Sequence, residues 1–280
     1  MISQKVSLKK YSTFKIGGPA KFFAEPKSIA DIRELLMFCK KNKEKFFILG
    51  NGSNILFSDN GYDGLVMKMG KNLASGKSLH DVIQTAANNG LGGMEKLDGI
   101  PGTLGGAIYM NAGAHGQQIS DCIKSVVSVT NYGGIITRTN EECKFSYRSS
   151  IFKMFDEIIV SAEFDFVSMS KEIINKNRKE VLAWRREKQP LKYPNAGSVF
   201  KNPTSNLPLT DSHLSAGYLI DSCGLKGCRV GDAQVSELHA NFIVNRGSAT
   251  AADVKALMNK IIQEVKKKHG IVLEPEICIL

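Results

Sequence analysis

The sequence predicts a protein of mixed helices and strands, divided into two or three domains. Three observations support this fold class. The chain has 280 residues, more than one ordinary domain of about 100–200 residues contains. Helical and strand periodicities alternate along it, and no internal repeat or low-complexity tract interrupts them. With 42% hydrophobic and 23% charged residues, the chain has enough apolar side chains to bury a sizeable core.

The first predicted elements are a helix and two strands. The stretch 28–43 carries apolar residues at helical spacing after a serine, a typical N-cap residue. The short apolar runs 45–50 and 64–69 are predicted strands. A second helix is expected over 78–89, and a loop rich in glycine follows it.

The rest of the chain continues the alternation of helices and strands. A hairpin is predicted over 122–139, around the turn sequence NYGG, and a further strand over 156–167. A long helix over 170–190 ends at a proline, and the last helix is expected over 250–270. The C-terminal run LEPEICIL, residues 273–280, is predicted to be a strand that its proline interrupts.

Composition narrows the class of protein. The chain has no apolar run near the ~20 residues that a membrane helix needs and no signal-peptide core, so we expect a cytoplasmic protein. The formal net charge of +10 is compatible with nucleic acid, anionic membranes or anionic small substrates. Aromatic residues are not interleaved with the basic runs as they are in RNA-binding motifs. The charge therefore does not identify a partner.

The six cysteines form no CxxC pair and no zinc-like spacing with the five histidines. We therefore expect reduced, buried thiols and no metal site. Cys223 and Cys228 are the closest pair in sequence, and a metal or a disulfide at that pair stays open.

Two glycine-rich segments carry the strongest chemical signal. GNGSN at 50–54 is a tight turn between apolar strands; its backbone N–H groups suit a diphosphate, or it is an ordinary hairpin turn. The second segment, 99–116, exposes so much bare backbone that it implies turns with positive φ or a closely approaching ligand. Neither segment matches GxGxxG or GxxxxGK[ST]. A flavin dinucleotide along both segments is our interpretation.

Three further stretches contain residues typical of catalytic or binding loops. YRSSIFK at 147–153 and NAGSVFKNP at 195–203 are polar islands. The residues of the second stretch are not typical of a strand or a helix. It is predicted to be either a loop that presents Ser198 or a turn with a capping serine. In LEPE, Glu274 and Glu276 lie among apolar residues, where a carboxylate is costly unless it is paired or catalytic.

These stretches, taken in order, resemble the UDP-N-acetylenolpyruvoylglucosamine reductase family. The resemblance starts near residue 11 with YSTFKIGGPA and runs to the C-terminus through ILGNGSNILFSDNGYDG, GIPGTLGGAIYMNAGAHG, YRSSIFK, NAGSVFKNP, AGYLIDSCGLKG, VSELHANFIVN and LEPE. The shorter branch of the family fits best, because little chain separates residue 153 from the helix at 170. The chain departs from the family pattern at Cys228 and Asp232, away from the residues expected to carry the chemistry.

The resemblance implies an α+β flavoenzyme in three parts. The FAD-binding region is of the vanillyl-alcohol-oxidase (PCMH) type and consists of two α/β subdomains. These subdomains are expected at residues 1–70, rejoined by 271–280, and at residues 71–188. An α+β substrate-binding domain is expected at residues 189–270.

The resemblance also implies the residues of the site. The catalytic residues are expected to be Arg148, Ser198 and Glu276. The expected substrate contacts are Tyr147, Lys188, Asn202 and His239. The expected FAD contacts are Gly50, Asn51, Gly52, Ser53, Asn54, Pro101, Gly102, Thr103, Gly105, Gly106, Asn111, Ala112 and Gly113.

The implied activity is reduction of the enolpyruvyl group of UDP-N-acetylenolpyruvoylglucosamine to UDP-N-acetylmuramate, in peptidoglycan precursor synthesis. Noncovalent FAD mediates the transfer and NADPH is the co-substrate. Arg148 is expected to stabilise the substrate carboxylate, Ser198 to donate a proton, and Glu276 to assist as an acid or by orienting a donor. We expect a monomer that binds neither nucleic acid nor membranes.

Two alternatives remain at the level of sequence. One is another flavin oxidoreductase of the same FAD-binding superfamily, such as an alcohol oxidase or a sugar-lactone dehydrogenase. The stretches NAGSVFKNP and LEPE argue against it. The other is a basic binding protein without enzymatic activity, which only the net charge favours.

Overall fold

The structure is a computed structural model, and it describes residues 2–203 and 215–280. Within them the strands are β1 Ser3–Ser7, β2 Pro19–Ala24, β3 Phe46–Leu49, β4 Ile55–Leu56, β5 Tyr62–Lys68, β6 Leu91–Gly92, β7 Gly113–Ala114, β8 Gln117–Gln118, β9 Ile123–Val129, β10 Ile135–Thr139, β11 Ile158–Phe164, β12 Val167–Ser168, β13 Asn195–Ser198, β14 Arg229–Val230, β15 Ala233–Val235, β16 Phe242–Asn245 and β17 Cys278–Ile279. The helices are α1 Ile29–Asn42, α2 Leu79–Asn88, α3 Leu104–Tyr109, α4 Lys171–Lys188, α5 Ala216–Ser222 and α6 Ala251–His269.

The chain divides into two units, each with hydrophobic core residues of its own. The first unit comprises the chain up to Lys5, Lys21–Asn51 and Asp63–Arg185. The second unit comprises Val6–Ala20, Gly52–Tyr62 and Arg186–Leu280. The three-part functional boundaries that the sequence predicts stay a prediction.

In the first unit, α1 packs on a sheet of strand order β1-β2-β5-β3. The helix begins at Ser28, whose side chain accepts a backbone N–H of the first turn, and ends at Lys43, which has a left-handed φ of 54°. Strands β3 and β5 are parallel, with Leu49 opposite Lys68. Because the carboxyl ends of parallel strands lie at the same edge of a sheet, Gly50 begins its turn at that edge.

A second, antiparallel sheet of the first unit has the order β10-β9-β11. Its hairpin closes where the N–H of Thr130 donates to the carbonyl oxygen of Gly134 at 2.8 Å. Side chains of α2, α3 and β9 share one core, which includes Ile83, Ile108 and Val126. This core fixes α3, and α3 is the middle of the glycine-rich segment.

The second unit contains an antiparallel sheet of order β13-β16-β15-β14, packed with α5 and α6. A capping box at Thr250 starts α6, and Gly270, with a φ of 71°, ends it. The carboxylate of Asp59 accepts the N–H groups of Ala251 and Ala252 at 2.8 and 3.0 Å. These bonds satisfy donors that a helix N-terminus otherwise leaves without partners.

The structure confirms the helices and strands expected from sequence and corrects two stretches. The expected loop around Ser198 is the edge strand β13, which has a register shift between Asn195 and Ser198 because Gly197 adopts a φ of +78°. The C-terminal run forms a strand only at β17, which pairs in parallel with β4. Before it, Pro275 makes one isolated bridge with Phe200, since proline has no N–H for a ladder.

Candidate functional site

The fold requires glycine at position 52, in the first glycine-rich turn, whether or not a ligand is bound. Gly52 has the positive φ that the turn predicts, +61°. A Cβ atom at Gly52 would lie 2.1 Å from the carbonyl oxygen of Tyr11, which is closer than two non-bonded atoms can approach each other. The carbonyl oxygen of Gly52 accepts hydrogen bonds from the N–H and the hydroxyl of Thr13, at 3.1 and 3.2 Å. A side chain at Gly52 therefore first meets the chain's own backbone.

Gly50, in the first unit, contacts the second glycine-rich segment. A Cβ atom at Gly50 would lie 2.6 Å from Oγ1 of Thr103. That hydroxyl is the N-cap of α3 and accepts the N–H of Gly106 at 3.3 Å. The structure therefore brings two of the expected FAD-binding stretches together at Gly50 and Thr103.

The backbone that precedes α3 is held by the start of α2. The N–H of Leu79 donates to the carbonyl oxygen of Gly102 at 3.1 Å. In return, the N–H of Leu104 donates to the carbonyl oxygen of Lys77 at 2.9 Å. The stretch from Pro101 to Leu104 thus has a fixed conformation that the protein alone maintains.

Gly106 leaves the exposed side of α3 bare. Its φ is not left-handed, and a Cβ atom built on it would have one neighbour within 4 Å outside the helix backbone, Oγ1 of Thr103 at 3.5 Å, among the described residues. Alanine is more stable than glycine in a helix by about 0.5–1 kcal/mol, so neither the fold nor its packing requires glycine here. A bare helix surface of this kind is compatible with the close approach of a ligand such as a flavin dinucleotide.

Ser75 is a second feature beside α3 that the protein alone does not account for. Its side chain is buried, and its hydroxyl oxygen has no hydrogen-bond partner among the described residues. A Cβ atom at Gly105 would lie 3.0 Å from the Cβ of Ser75. Buried hydroxyls nearly always have a partner, so a polar ligand group at this place is compatible with the site.

The end of the glycine-rich segment is tied to the turn that carries Arg148. Asn111 is buried, with a φ of 43°, and its amide donates to the carbonyl oxygen of Ser146 at 3.0 Å and to Oε1 of Gln118 at 2.9 Å. Nη2 of Arg148 donates to the carbonyl oxygen of Gly113 at 3.2 Å. The expected catalytic arginine and an expected FAD contact are therefore neighbours.

Arg148 occupies a strained turn. Its φ is +55°, and Ser146 and Ser149 close the turn by exchanging two backbone hydrogen bonds of 3.1 Å. Its guanidinium carbon lies 5.0 Å from the ring centroid of Tyr147. A left-handed conformation costs a residue other than glycine about 1–3 kcal/mol, and such residues cluster at functional sites. The turn and Tyr147 together restrict where the guanidinium points.

Ser198 and Glu276 lie on paired stretches of the second unit. The N–H of Glu276 donates to the carbonyl oxygen of Val199, the residue after Ser198, at 2.7 Å. The other acidic residue of LEPE, Glu274, is mostly exposed and forms an ion pair with Lys201 at 3.1 Å. Glu276 is half-buried and is the better candidate for chemistry.

The first glycine-rich turn joins this group. Nδ2 of Asn54 donates to the carbonyl oxygen of Glu276 at 3.2 Å, and the N–H of Cys278 donates to the carbonyl oxygen of Asn54 at 3.0 Å. A Cβ atom at Gly197 would lie 4.0 Å from the carbonyl oxygen of Ser53. Within the second unit, the turn, Ser198 and Glu276 are therefore adjacent.

A cavity of about 330 Å³ in the second unit holds three of the expected residues, Ser198, Asn202 and His239. Oδ1 of Asn202 accepts the N–H of Ala216 at 3.0 Å, which orients the amide. Lys188 is not among the residues that line this cavity; it ends α4 and forms an ion pair with Glu187 at 2.6 Å.

The surroundings of His239 in this cavity favour its neutral form. Burial, and then the positive charge of Lys226, lower the pKa of its imidazole. Nδ1 accepts the N–H of Asn241 at 3.2 Å, which assigns the ring proton to Nε2. His239 is therefore suited to donate a hydrogen bond at neutral pH.

Sequence reasoning missed other residues that line the cavity. Among them are Tyr218 and the ion pair of Lys226 with Asp221, at 2.6 Å. The signal was present in AGYLIDSCGLKG, where Tyr218 and Asp221 are three residues apart in a helix and so lie on one face.

The thiols lie outside this chemistry. None of the six cysteines forms a disulfide in this structure, Cys223 and Cys228 included. Burial raises the pKa of Cys122 to about 12 and the pKa values of Cys39 and Cys143 to about 11, so these thiols stay protonated. In the described part of the chain, no group of three potential metal ligands occurs and no helix has the length and hydropathy to cross a membrane.

Comparison with known proteins connects these features. Residues 20–139 match an FAD binding domain, and residues 189–280 match the C-terminal domain of UDP-N-acetylenolpyruvoylglucosamine reductase. The chain is 39% identical to the reductase of that name from Lachnoclostridium phytofermentans, over 98% of this chain and 91% of the relative. It is 41% identical to the reductase of the same name from Caldanaerobacter subterraneus subsp. tengcongensis, over 98% of this chain and 91% of that relative.

A solved structure supports the same conclusion. The crystal structure of UDP-N-acetylenolpyruvylglucosamine reductase from Thermus caldophilus superposes with a TM-score of 0.85 at 33% identity, covering 100% of this chain and 99% of that one. The α+β fold with a PCMH-type FAD-binding region and the FAD cofactor are thereby confirmed. The chain belongs to the UDP-N-acetylenolpyruvoylglucosamine reductase family.

Proposed function

We propose that this chain reduces the enolpyruvyl group of UDP-N-acetylenolpyruvoylglucosamine with electrons from NADPH and forms UDP-N-acetylmuramate for peptidoglycan synthesis. The observation that carries the proposal is the hydrogen bond between the backbone of Glu276 and that of Val199, the residue after Ser198, in the second unit. That unit includes the residues that match the reductase C-terminal domain. The FAD binding domain binds the cofactor that a hydride transfer needs.

FAD is held by the two glycine-rich stretches. The contacts come from Gly50 to Asn54 and from Pro101 to Gly113. The bare side of α3 at Gly106 and the buried hydroxyl of Ser75 support this assignment. When bound there, FAD would supply the redox chemistry, through which electrons from NADPH would reach the terminal carbon of the enolpyruvyl group as a hydride.

Arg148 binds the substrate carboxylate. Hydride addition to the terminal carbon leaves negative charge on the ether-bearing carbon, and this charge spreads into the carboxylate. A guanidinium matches a carboxylate with two parallel hydrogen bonds. Because the strained turn, Gly113 and Tyr147 hold Arg148 beforehand, the positive charge is in position as the negative charge develops.

Ser198 donates the proton that completes the reaction. The proton goes to the ether-bearing carbon, so the product gains one hydride and one proton while NADPH becomes NADP⁺. A serine hydroxyl is a weak acid, but it is adequate against so basic a carbon in a site that excludes water. Glu276, paired in the backbone with the residue after Ser198, orients that donor or supplies it with a proton.

The UDP-sugar is bound by Tyr147, Lys188, Asn202 and His239. The Nε2–H of the neutral His239 donates a hydrogen bond, and Asn202 is oriented for the same purpose by its bond from Ala216. Lys188 is a half-exposed cation at the end of α4, and an ammonium group of this kind suits a phosphate.

We further propose a cytoplasmic monomer that binds neither nucleic acid nor membranes. Its functional parts are residues 1–70 with 271–280, residues 71–188 and residues 189–270. The matches at 20–139 and 189–280 support a division between cofactor-binding and substrate-binding parts.

The proposal is tested by product analysis. Purified protein is incubated with NADPH and UDP-N-acetylenolpyruvoylglucosamine, in ordinary water and in ²H₂O. We expect a product heavier than the substrate by two hydrogen atoms, with solvent deuterium at the ether-bearing carbon after the reaction in ²H₂O. Oxidation of NADPH without that product contradicts the proposed substrate.

A further inference from the structure

A buried carboxylate immediately precedes the glycine-rich segment. The side chain of Asp98 is fully buried. Its Oδ1 lies 2.7 Å from Nδ1 of His80, at the start of α2, and accepts the N–H of Gly99 at 2.8 Å. Its Oδ2 accepts Nε of Arg178 at 2.7 Å. We call Asp98, His80, Arg178 and Arg185 the Asp98 cluster.

Helix α4 contributes both arginines of the Asp98 cluster. Nη2 of Arg178 also donates to Oε1 of Gln84 on α2 at 2.9 Å, so the guanidinium bridges two elements. About two turns further along, Nε of Arg185 donates to the carbonyl oxygen of Asp98 at 2.9 Å. Helix α4 thus fixes both the side chain and the backbone carbonyl group of Asp98.

These contacts set the conformation at which the glycine-rich segment begins. Gly99 has a φ of +76°, and its N–H is bound by the carboxylate of Asp98. A Cβ atom at Gly99 would lie 2.8 Å from Cδ of Arg185, so α4 packs directly on this turn. At the other end of the segment, the ring of His115 meets Trp184 edge-on, with centroids 4.7 Å apart. Helix α4 therefore contacts both ends of the segment.

Stability alone is a weak reason for this arrangement. Desolvation of buried charges often costs as much as their attraction returns, and apolar replacements of buried ion pairs are frequently as stable. Burial alone would raise the pKa of Asp98, but the hydrogen bonds from His80 and Arg178 outweigh it and hold the pKa below its ordinary value. The carboxylate is therefore charged at neutral pH, and its contacts with His80, Gly99 and Arg178 form only when α2, α4 and Gly99 are in register.

We propose that the Asp98 cluster positions the glycine-rich segment for FAD, with Asp98, Arg178 and Arg185 acting as positioning residues that do not contact the cofactor. The inference rests on the proposed flavin contact at Gly106 and its neighbours. A segment that is already ordered loses less conformational freedom on binding, so its affinity for the ligand is higher. The cluster thus serves cofactor affinity rather than the chemical step.

The test is the dissociation constant of FAD for the apoprotein, measured by flavin fluorescence well below the unfolding temperature of each variant. We expect Asp98→Asn to raise that constant by about tenfold or more, because an amide cannot accept all these donors. The matched control is Glu157→Gln, which removes another buried carboxylate of the first unit, paired with Arg138 on the β10-β9-β11 sheet. The control is expected to lower the unfolding temperature and to keep the FAD constant within about twofold.

A second variant keeps the inference testable if Asp98→Asn does not fold. Arg178→Lys retains the charge and loses the bridge to Gln84, and we expect a weaker FAD affinity from it as well. Wild-type affinity in the folded cluster variants, together with weakened FAD affinity in Gly106→Ala, overturns this inference alone. Wild-type affinity in Gly106→Ala overturns the proposed flavin contact, and the inference falls with it.

Discussion

The two units hold their candidate residues in different ways. In the first unit, Gly106 leaves a helix surface bare although the fold does not need glycine there, and Arg148 stands on a strained turn. In the second unit, the space beside Gly52 is filled by the backbone of Tyr11, and Glu276 is held by strand-like pairing. At Gly106 the described residues therefore give no reason for bare backbone, whereas at Gly52 the protein itself requires it.

The largest expected effect separates the two half-reactions of the flavin. Ser198→Ala, in the second unit, is expected to slow oxidation of the reduced flavin by substrate about 10²–10⁴-fold, the usual contribution of a general acid. Reduction of the flavin by NADPH is expected to stay near the wild-type rate. Stopped-flow absorbance of the flavin follows each half-reaction separately.

The counterpart in the first unit is Arg148→Lys, which keeps the charge and loses the bidentate contact. It is expected to spare flavin reduction and to slow the second half-reaction less than Ser198→Ala does. Equal slowing of both half-reactions in Ser198→Ala means that the serine supports flavin geometry, and Glu276 is then the next candidate for the proton donor.

The next largest effect is on folding. Gly52→Val combines a positive φ with a Cβ placed 2.1 Å from a backbone oxygen, so we expect a loss of at least about 3 kcal/mol of unfolding free energy. Urea denaturation of the apoprotein measures it, with Asn51→Ala as the neighbouring control. If the Gly52→Val apoprotein is stable and only fails to bind FAD, glycine at position 52 serves the ligand, as is proposed for Gly106. The contrast between the units is then removed.

Gly106→Ala is expected to have a smaller effect of the opposite kind. The added methyl group stabilises the apoprotein by up to about 1 kcal/mol, because alanine is the better helix residue. The same methyl group is expected to weaken FAD by about tenfold, since it occupies the ligand's side of α3. Thermal unfolding of the apoprotein and the FAD dissociation constant together check this. Unchanged affinity shows that the bare surface has another cause.

How much the sequence alone predicts depends on the range of the interaction. Helix α1, with its cap at Ser28, and α6, between Thr250 and Gly270, follow from local signals that need no tertiary contact. The pairing of Glu276 with Val199 joins residues far apart in sequence, and only the family resemblance pointed to it. A positive φ at Gly52 was predictable; the atoms that face it were not.

Residues with unremarkable neighbours were missed for the same reason. Asp98, between a leucine and a glycine, resembles a polar loop residue, although its partner Arg178 follows eighty residues later. Ser198 was expected on a loop because its neighbours are poor strand formers. The structure places Ser198 in the edge strand β13 instead. The left-handed Gly197 accounts for this, because it lets the strand shift its register at a sequence that forms strands poorly.

The smallest effect is a pH dependence of the first unit. The pKa of Asp98 is lower in the folded chain than its unfolded value of about 3.9, so as pH falls the unfolded chain takes up the proton first. The stabilisation from this carboxylate is therefore complete above that pH and is lost as the pH falls through the folded pKa. The difference in unfolding free energy between the wild type and Asp98→Asn, measured with urea, should shrink as the pH falls below about 4. A constant difference throughout contradicts a charged Asp98.

The central claim is that this chain carries electrons from NADPH through FAD to an enolpyruvyl sugar nucleotide. An anaerobic titration of the purified yellow protein tests it most directly, with absorbance of the flavin as the signal. NADPH is predicted to bleach the flavin, and an equimolar addition of UDP-N-acetylenolpyruvoylglucosamine is predicted to restore its absorbance without oxygen. Bleached flavin that stays bleached after this addition contradicts the account.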